Sequence, residues 1–148
     1  MVAYPILKKT LKALKPKPVA YPTKITTIGD HIRKKRLDLG LYQKDVAQFI
    51  GVTTDTITFW EKGRSKPTIK QMPKIITFLG YNPCIKEAKT IGEKLYQYRI
   101  ENGVTVKELI KLIKIDRQTI LKIEGGETVS VKAFNKMAGF LNDNKKNK

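Results

Sequence analysis

Five residues with base-reading chemistry, Thr54, Asp55, Thr56, Thr58 and Phe59, are interleaved with two built for burial, Ile57 and Trp60. At helical spacing Ile57 and Trp60 share an inward face, and the other five point outward. Asp55 can only accept hydrogen bonds, so the amino group of cytosine is its natural partner on a base edge, and Phe59 suits a thymine methyl. Lys62, Arg64 and Lys66 follow directly, and their charges fit the phosphates of a flanking backbone. Gln43 opens the preceding helix, where its amide and the N-terminal N–H groups can hold a phosphate. Two helices joined by a tight turn, the second showing polar residues outward, present a helix to the DNA major groove.

The elements that must position these side chains occur twice. Ile28-Gly29-Asp30 returns as Ile91-Gly92-Glu93, an offset of 63 positions. Arg36, Gly40, Lys44, Thr56, Ile57, Glu61 and Gly63 return unchanged as Arg99, Gly103, Lys107, Thr119, Ile120, Glu124 and Gly126. A duplicated segment of this length means one supersecondary unit used twice. In the first copy Ile32, Leu37 and Leu39 mark a helix that stops at Gly40, and Val46, Ala47 and Ile50 mark a second ending at Gly51-Val52. Thr53 or Thr54 caps a third, which ends before the break from Gly63 to Pro67. Ile69, Met72, Ile75, Ile76 and Leu79 supply closing helices, with Pro73 starting or kinking one.

The second copy repeats the plan through Leu95, Ile100, Leu109, Ile110, Ile113, Ile115, Ile120 and Ile123. It closes with Val131, Phe134, Met137 and Leu141, where the offset falls to 62. The fold class expected is all-α, with two tandem bundles of four to five helices each. The boundaries expected are a basic arm at 1–25, a first domain at 28–82, a second and more divergent one at 91–142, and a polar tail at 143–148. The arm holds six lysines, no acid and four prolines, which predicts an extended tether.

Gly-Leu-Tyr-Gln-Lys-Asp-Val-Ala at 40–47, Gly51-Val52-Thr53, Ile57 and Trp60-Glu61-Lys62-Gly63 together resemble the Cro/phage-repressor-like (XRE) helix-turn-helix family. The likeness covers 28–80 with a specific pattern and 91–141 less faithfully. It implies lambda-repressor-like bundles and a recognition helix docked in the major groove, the geometry that phage repressors and Cro exemplify. It also implies a partly buried ion pair between Arg36 and Glu61, repeated by Arg99 and Glu124, that orients the recognition helix without touching DNA. The second unit departs from the pattern: Val106 stands in place of Gln43, Lys114 in place of Gly51 and Ile123 in place of Trp60. Its Gly125-Gly126-Glu127-Thr128 has lost the basic residues of the first copy. Arg117 and Gln118 are nevertheless good base readers and Lys122 reaches a backbone, so DNA reading and a packing or dimerisation role both stay open for this unit.

Totals set the partner class. Thirty Lys and Arg against 13 Asp and Glu give a net charge of +17, which calls for a polyanion. The expected function is sequence-specific binding of double-stranded DNA by a transcriptional regulator. An RNA-binding or co-activator-type protein, or an antitoxin-like interaction module using the second domain, are the alternatives. A homodimer and an intramolecular pairing of the two units are the arrangements to distinguish. Cys84 is alone, which fits a reducing compartment, and no apolar run approaches a membrane span, so a cytoplasmic protein is expected. His31 is the one histidine, flanked by Arg33 to Arg36, and reads as an exposed surface side chain. No phosphate-cradling glycine loop, metal-spaced Cys/His group or nucleophile elbow occurs, so neither enzyme activity, a metal nor a cofactor is expected.

Overall fold

The computed structural model describes residues 21–84 and 87–145. Among them every regular element is helical and none is a strand. The order is α1 (Ile28–Asp38), α2 (Gln43–Ile50), α3 (Thr54–Glu61), a 3₁₀ turn (Ile69–Gln71), α4 (Met72–Leu79), α5 (Ile91–Asn102), α6 (Val106–Ile113), α7 (Arg117–Glu124) and α8 (Val131–Lys145). The protein is therefore all-α. Residues 1–20 of the expected arm and 146–148 of the expected tail lie outside the described residues; residues 143–145 complete the last turn of α8.

Helix starts are written locally. Thr27 accepts the Asp30 N–H at 3.1 Å while the Asp30 carboxylate accepts the Thr27 N–H at 2.8 Å, a reciprocal cap. These bonds hold the Asp30 carboxyl below its ordinary value against the desolvation that raises it. Thr90 with Glu93 and Thr105 with Glu108 repeat the device at α5 and α6. Thr53, of the two threonines that could cap α3, is the one that does, accepting from Thr56 N–H. At the turn after α6, Lys114 adopts φ +49°, the left-handed conformation that Gly51 takes at φ +81° after α2. A side chain there costs on the order of 1–2 kcal/mol.

Gly29 and Gly92 are fixed by packing. A Cβ on Gly29 would lie 1.8 Å from the Trp60 carbonyl oxygen, and one on Gly92 1.8 Å from that of Ile123. The first helix of each set thus crosses the end of the third at backbone contact, which no other residue permits. The inward residues collect into two clusters. One holds Ile32, Val46, Ile50, Ile57, Trp60, Ile75 and Leu79; the other holds Leu95, Leu109, Ile113, Ile120, Ile123, Met137 and Leu141.

Four side chains differ from expectation. Ile100 belongs to the first cluster, not the second, because α5 packs on α4 and on the 3₁₀ turn. Val131 and Phe134, expected inward, are 75% and 43% exposed. Both border an open cleft with Ile91, Gly92 and Ile123 of their own set, whereas their counterparts at the 62-residue offset, Ile69 and Met72, are half-buried and buried. His31 is half-buried rather than exposed, its Nδ1 2.7 Å from the Tyr81 hydroxyl. That burial lowers its pKa from the ordinary value, and nearby Asp30 partly opposes the shift.

Candidate nucleic-acid interface

Helix α3 is held from below and open above. Ile57 and Trp60 are buried at 0% and 3% exposure, so the outward direction of the remaining residues is fixed. Thr54, Asp55 and Phe59 are exposed; Thr56 and Thr58 are only half-exposed. The Thr56 hydroxyl lies 2.8 Å from that of Thr53. The Thr58 hydroxyl lies 3.0 Å from Gln43 Oε1 and 3.1 Å from the Thr54 carbonyl, and shares one proton between them. The open outward surface of α3 thus consists of Thr54, Asp55 and Phe59, while Thr56 and Thr58 have partners within the protein.

Gln43 also differs from the sequence expectation of an unencumbered phosphate ligand. Its Nε2 donates to Glu61 Oε2 at 2.9 Å and its Oε1 accepts from Thr58, leaving a single amide hydrogen to offer. The start of α2 and the start of α3 flank a shallow depression lined by Tyr42, Gln43, Lys44 and Thr54. Lys44 Nζ stands 5.6 Å from the Tyr42 ring centroid at its edge, a cation held beside two helix N-termini.

Glu61 anchors the assembly. Arg36 Nε and Nη2 donate to its two carboxylate oxygens at 2.6 and 2.8 Å, and Arg36 Nη1 donates to the Leu41 carbonyl at 3.1 Å. This fork-to-fork pair ties α1, the α1–α2 turn, α2 and α3 together through one nearly buried carboxylate. Arg99 repeats it on Glu124, with Nη1 at 2.8 and 2.6 Å and Nε on the Val104 carbonyl at 3.1 Å. Val106 replaces Gln43 in the second set, so that pair has no amide relay to its recognition helix.

After α3, Gly63 takes φ +67° and the chain folds back so that Arg64 N–H donates to the Phe59 carbonyl at 2.8 Å. That turn sets Lys62, Arg64 and Lys66, all exposed, along the end of α3. Around α7 the outward residues are Arg117, Gln118, Leu121 and Lys122, also exposed, and the loop beyond carries Glu127 instead of cations. Asp116 caps α7 by accepting the Thr119 N–H at 3.0 Å, and its bonds to Thr119 lower its pKa.

The family profile described as "Helix-turn-helix" matches residues 32–85, the stretch that carries this geometry. An uncharacterized HTH-type transcriptional regulator of Methanothermobacter thermautotrophicus is 43% identical over 49 residues, covering 33% of this chain and 71% of that protein. The chain belongs to the helix-turn-helix family. Membership implies DNA binding at the level of the family. No solved structure matches this helix-turn-helix protein. Among its described residues no helix is long and apolar enough to cross a membrane, and no group of three or more His, Cys, Asp or Glu is placed to hold a metal ion.

The sequence pattern missed one set of contacts. Lys70 in the 3₁₀ turn forms an ion pair with Glu108 in α6, lowering that carboxyl to about 2. Beside it, a Cβ on Gly103 would stand 3.2 Å from Pro73 Cγ and 3.5 Å from the Ile69 carbonyl oxygen. The buried Gly103 was a readable signal, since it follows a helix and recurs from Gly40, but its neighbour was not.

Proposed function

We propose that this chain is a sequence-specific, double-stranded-DNA-binding transcriptional regulator of the cytoplasm, and not an enzyme, with α3 as its Cro-like reading helix. The observation that carries this is the division of α3 into an open triad, Thr54, Asp55 and Phe59, and a braced underside. Asp55 selects a cytosine amino group and Phe59 a thymine methyl. Lys62, Arg64 and Lys66 bind flanking phosphates, and the remaining Gln43 amide hydrogen and Lys44 bind another at the start of α2. Residues 28–82 and 91–142 are a duplicated domain; the limits of α2 and α6, at 43–50 and 106–113, and of α3 and α7, at 54–61 and 117–124, keep the 63-residue offset and support this.

Arg117 and Gln118 read purines from α7, while Lys122 meets the backbone. A protein-contact role for the second domain is favoured by its exposed Leu112, Leu121, Val131 and Phe134. Selection of sites from random duplexes, followed by titration of specific DNA, random DNA and RNA at several salt concentrations, tests the reading. Equal affinity for all three refutes it; a selected site bound on the order of 10³-fold more tightly than random DNA supports it.

A further inference from the structure

The contact that joins the two helical sets has a direction. One half comes from the start of the first closing segment: Ile69, Lys70 and Pro73. The other half comes from the end of α5 and the start of α6: Ile100, Gly103 and Glu108. These halves are different surfaces, so the junction is head to tail and leaves one unused half on each set. At the 62-residue offset Ile69 and Lys70 become Val131 and Lys132, behind the cap Ser130 that repeats Thr68. At the 63-residue offset Ile100, Gly103 and Glu108 are matched by Leu37, Gly40 and Asp45.

The unused halves keep several features of the used one, although Asn135 stands in place of Pro73. Val131 is 75% exposed, at the rim of a cleft shared with Ile91, Ile123 and Phe134 of its own set, and Lys132 is exposed beside it at the start of α8. Gly40 holds φ +64°, as Gly103 does, and among the described residues nothing lies within 4 Å of an added Cβ, where Gly103 meets Pro73 and Ile69. Asp45 caps α2 by accepting the Tyr42 N–H at 2.8 Å, as Glu108 caps α6 through Thr105. A lysine on one surface and a carboxylate on the other give the charge complementarity of the Lys70–Glu108 pair. We propose that a second copy of this chain docks head to tail on the start of α8, its Asp45 against Lys132 and its Leu37 and Gly40 against Val131.

This rests on reading the two sets as a duplicated domain. A head-to-tail contact relates neighbouring copies without a two-fold axis, so two copies that dock this way on DNA face the same direction. They therefore favour direct over inverted repeats of the chain's site. The patch is small, so pairing is weak in free solution and is read best as cooperativity on DNA.

Two measurements on the full chain decide it. First, light and isotopically heavy chains are mixed and treated with a carbodiimide, which condenses a lysine amine with a carboxylate. A mixed light–heavy peptide joining Lys132 to Asp45 is expected, with the Lys70–Glu108 link inside one chain as the internal control. Dimers that lack the Lys132–Asp45 link, or no dimers while the control forms, overturn the proposal. Second, binding is titrated on duplexes carrying one selected site, two in direct repeat and two inverted, over a range of spacings. The second copy should bind a direct repeat about tenfold more tightly than the first, a typical coupling. Lys132→Glu and Val131→Asp should reduce that factor to within about twofold of unity while single-site affinity changes far less. Unchanged cooperativity in both variants, at unchanged melting temperature, refutes the docking. Absence of binding to the single site would instead defeat the DNA-binding reading, and the cross-link still reports on the docking without DNA.

Discussion

Replacing Glu61 by Ala removes the carboxylate on which the first helical set converges. The Glu61 side chain is 3% exposed and Arg36 13%, so the guanidinium loses two charge-assisted bonds at 2.6 and 2.8 Å in a site that water reaches poorly. Only the Leu41 carbonyl at 3.1 Å remains to it, and Gln43 Nε2 loses its acceptor as well. Breaking a buried pair by removing one partner costs about 3–5 kcal/mol. Against a total stability on the order of 5–15 kcal/mol, that is a large fraction. At about 4–8 °C per kcal/mol for a small domain, melting should fall by at least about 12 °C. Thermal and urea unfolding followed by circular dichroism measures it. The double variant Arg36→Met with Glu61→Leu exchanges the pair for apolar groups of similar volume and should recover most of the loss. It should not recover DNA affinity, because Gln43 Nε2 lacks its Glu61 acceptor in both. Glu61→Ala melting within about 3 °C of the parent would place the pair among exposed ion pairs, which contribute less than about 1 kcal/mol, and would refute the reasoning.

Gly29→Ala and Gly92→Ala should each destabilise by roughly 1–3 kcal/mol or more, since the new methyl meets a backbone carbonyl; a neutral result by urea unfolding would mean that the helices cross farther apart. Asp55→Asn should change the preferred base at one position of the selected site, at about 1–3 kcal/mol of discrimination, while leaving melting unaltered; an unchanged site would show that Asp55 reads no base. Glu108, lowered to about 2 chiefly by Lys70, contributes stability that is present above its ordinary value of 4.5 and lost as pH falls towards 2. Lys70→Met should move its carboxyl titration upward by NMR, and an unmoved titration would deny the pairing. Deleting residues 1–20, which carry five lysines and no acid, should lower the log–log salt slope of DNA binding by about 3.6 if four of them sit on phosphates, with specificity retained.

Short-range rules made much of this protein legible. Thr27 with Asp30, Thr90 with Glu93 and Asp116 before α7 are caps whose partners lie three residues away. Helical spacing of Ile57 with Trp60, and of Met137 with Leu141, marks faces that are buried. The repeated Ile-Gly-acid signature was visible too, although its reason, a carbonyl passing where a Cβ would stand, emerges only when α1 meets α3. Spacing also marked Thr56 and Thr58 as outward. It could not tell that the Thr58 hydroxyl is engaged, because its partner Gln43 comes from another helix; the Thr56 partner, Thr53, lies three residues away. The same limit explains Ile100, Val131 and Phe134. Periodicity defines which side of a helix is apolar; what covers that side depends on chain far away in sequence. Ile100 is covered because α5 lies on α4, and Val131 is open although α5 and α6 both pack on α8. Local chemistry names each face of a helix, and long-range packing assigns the face its partner.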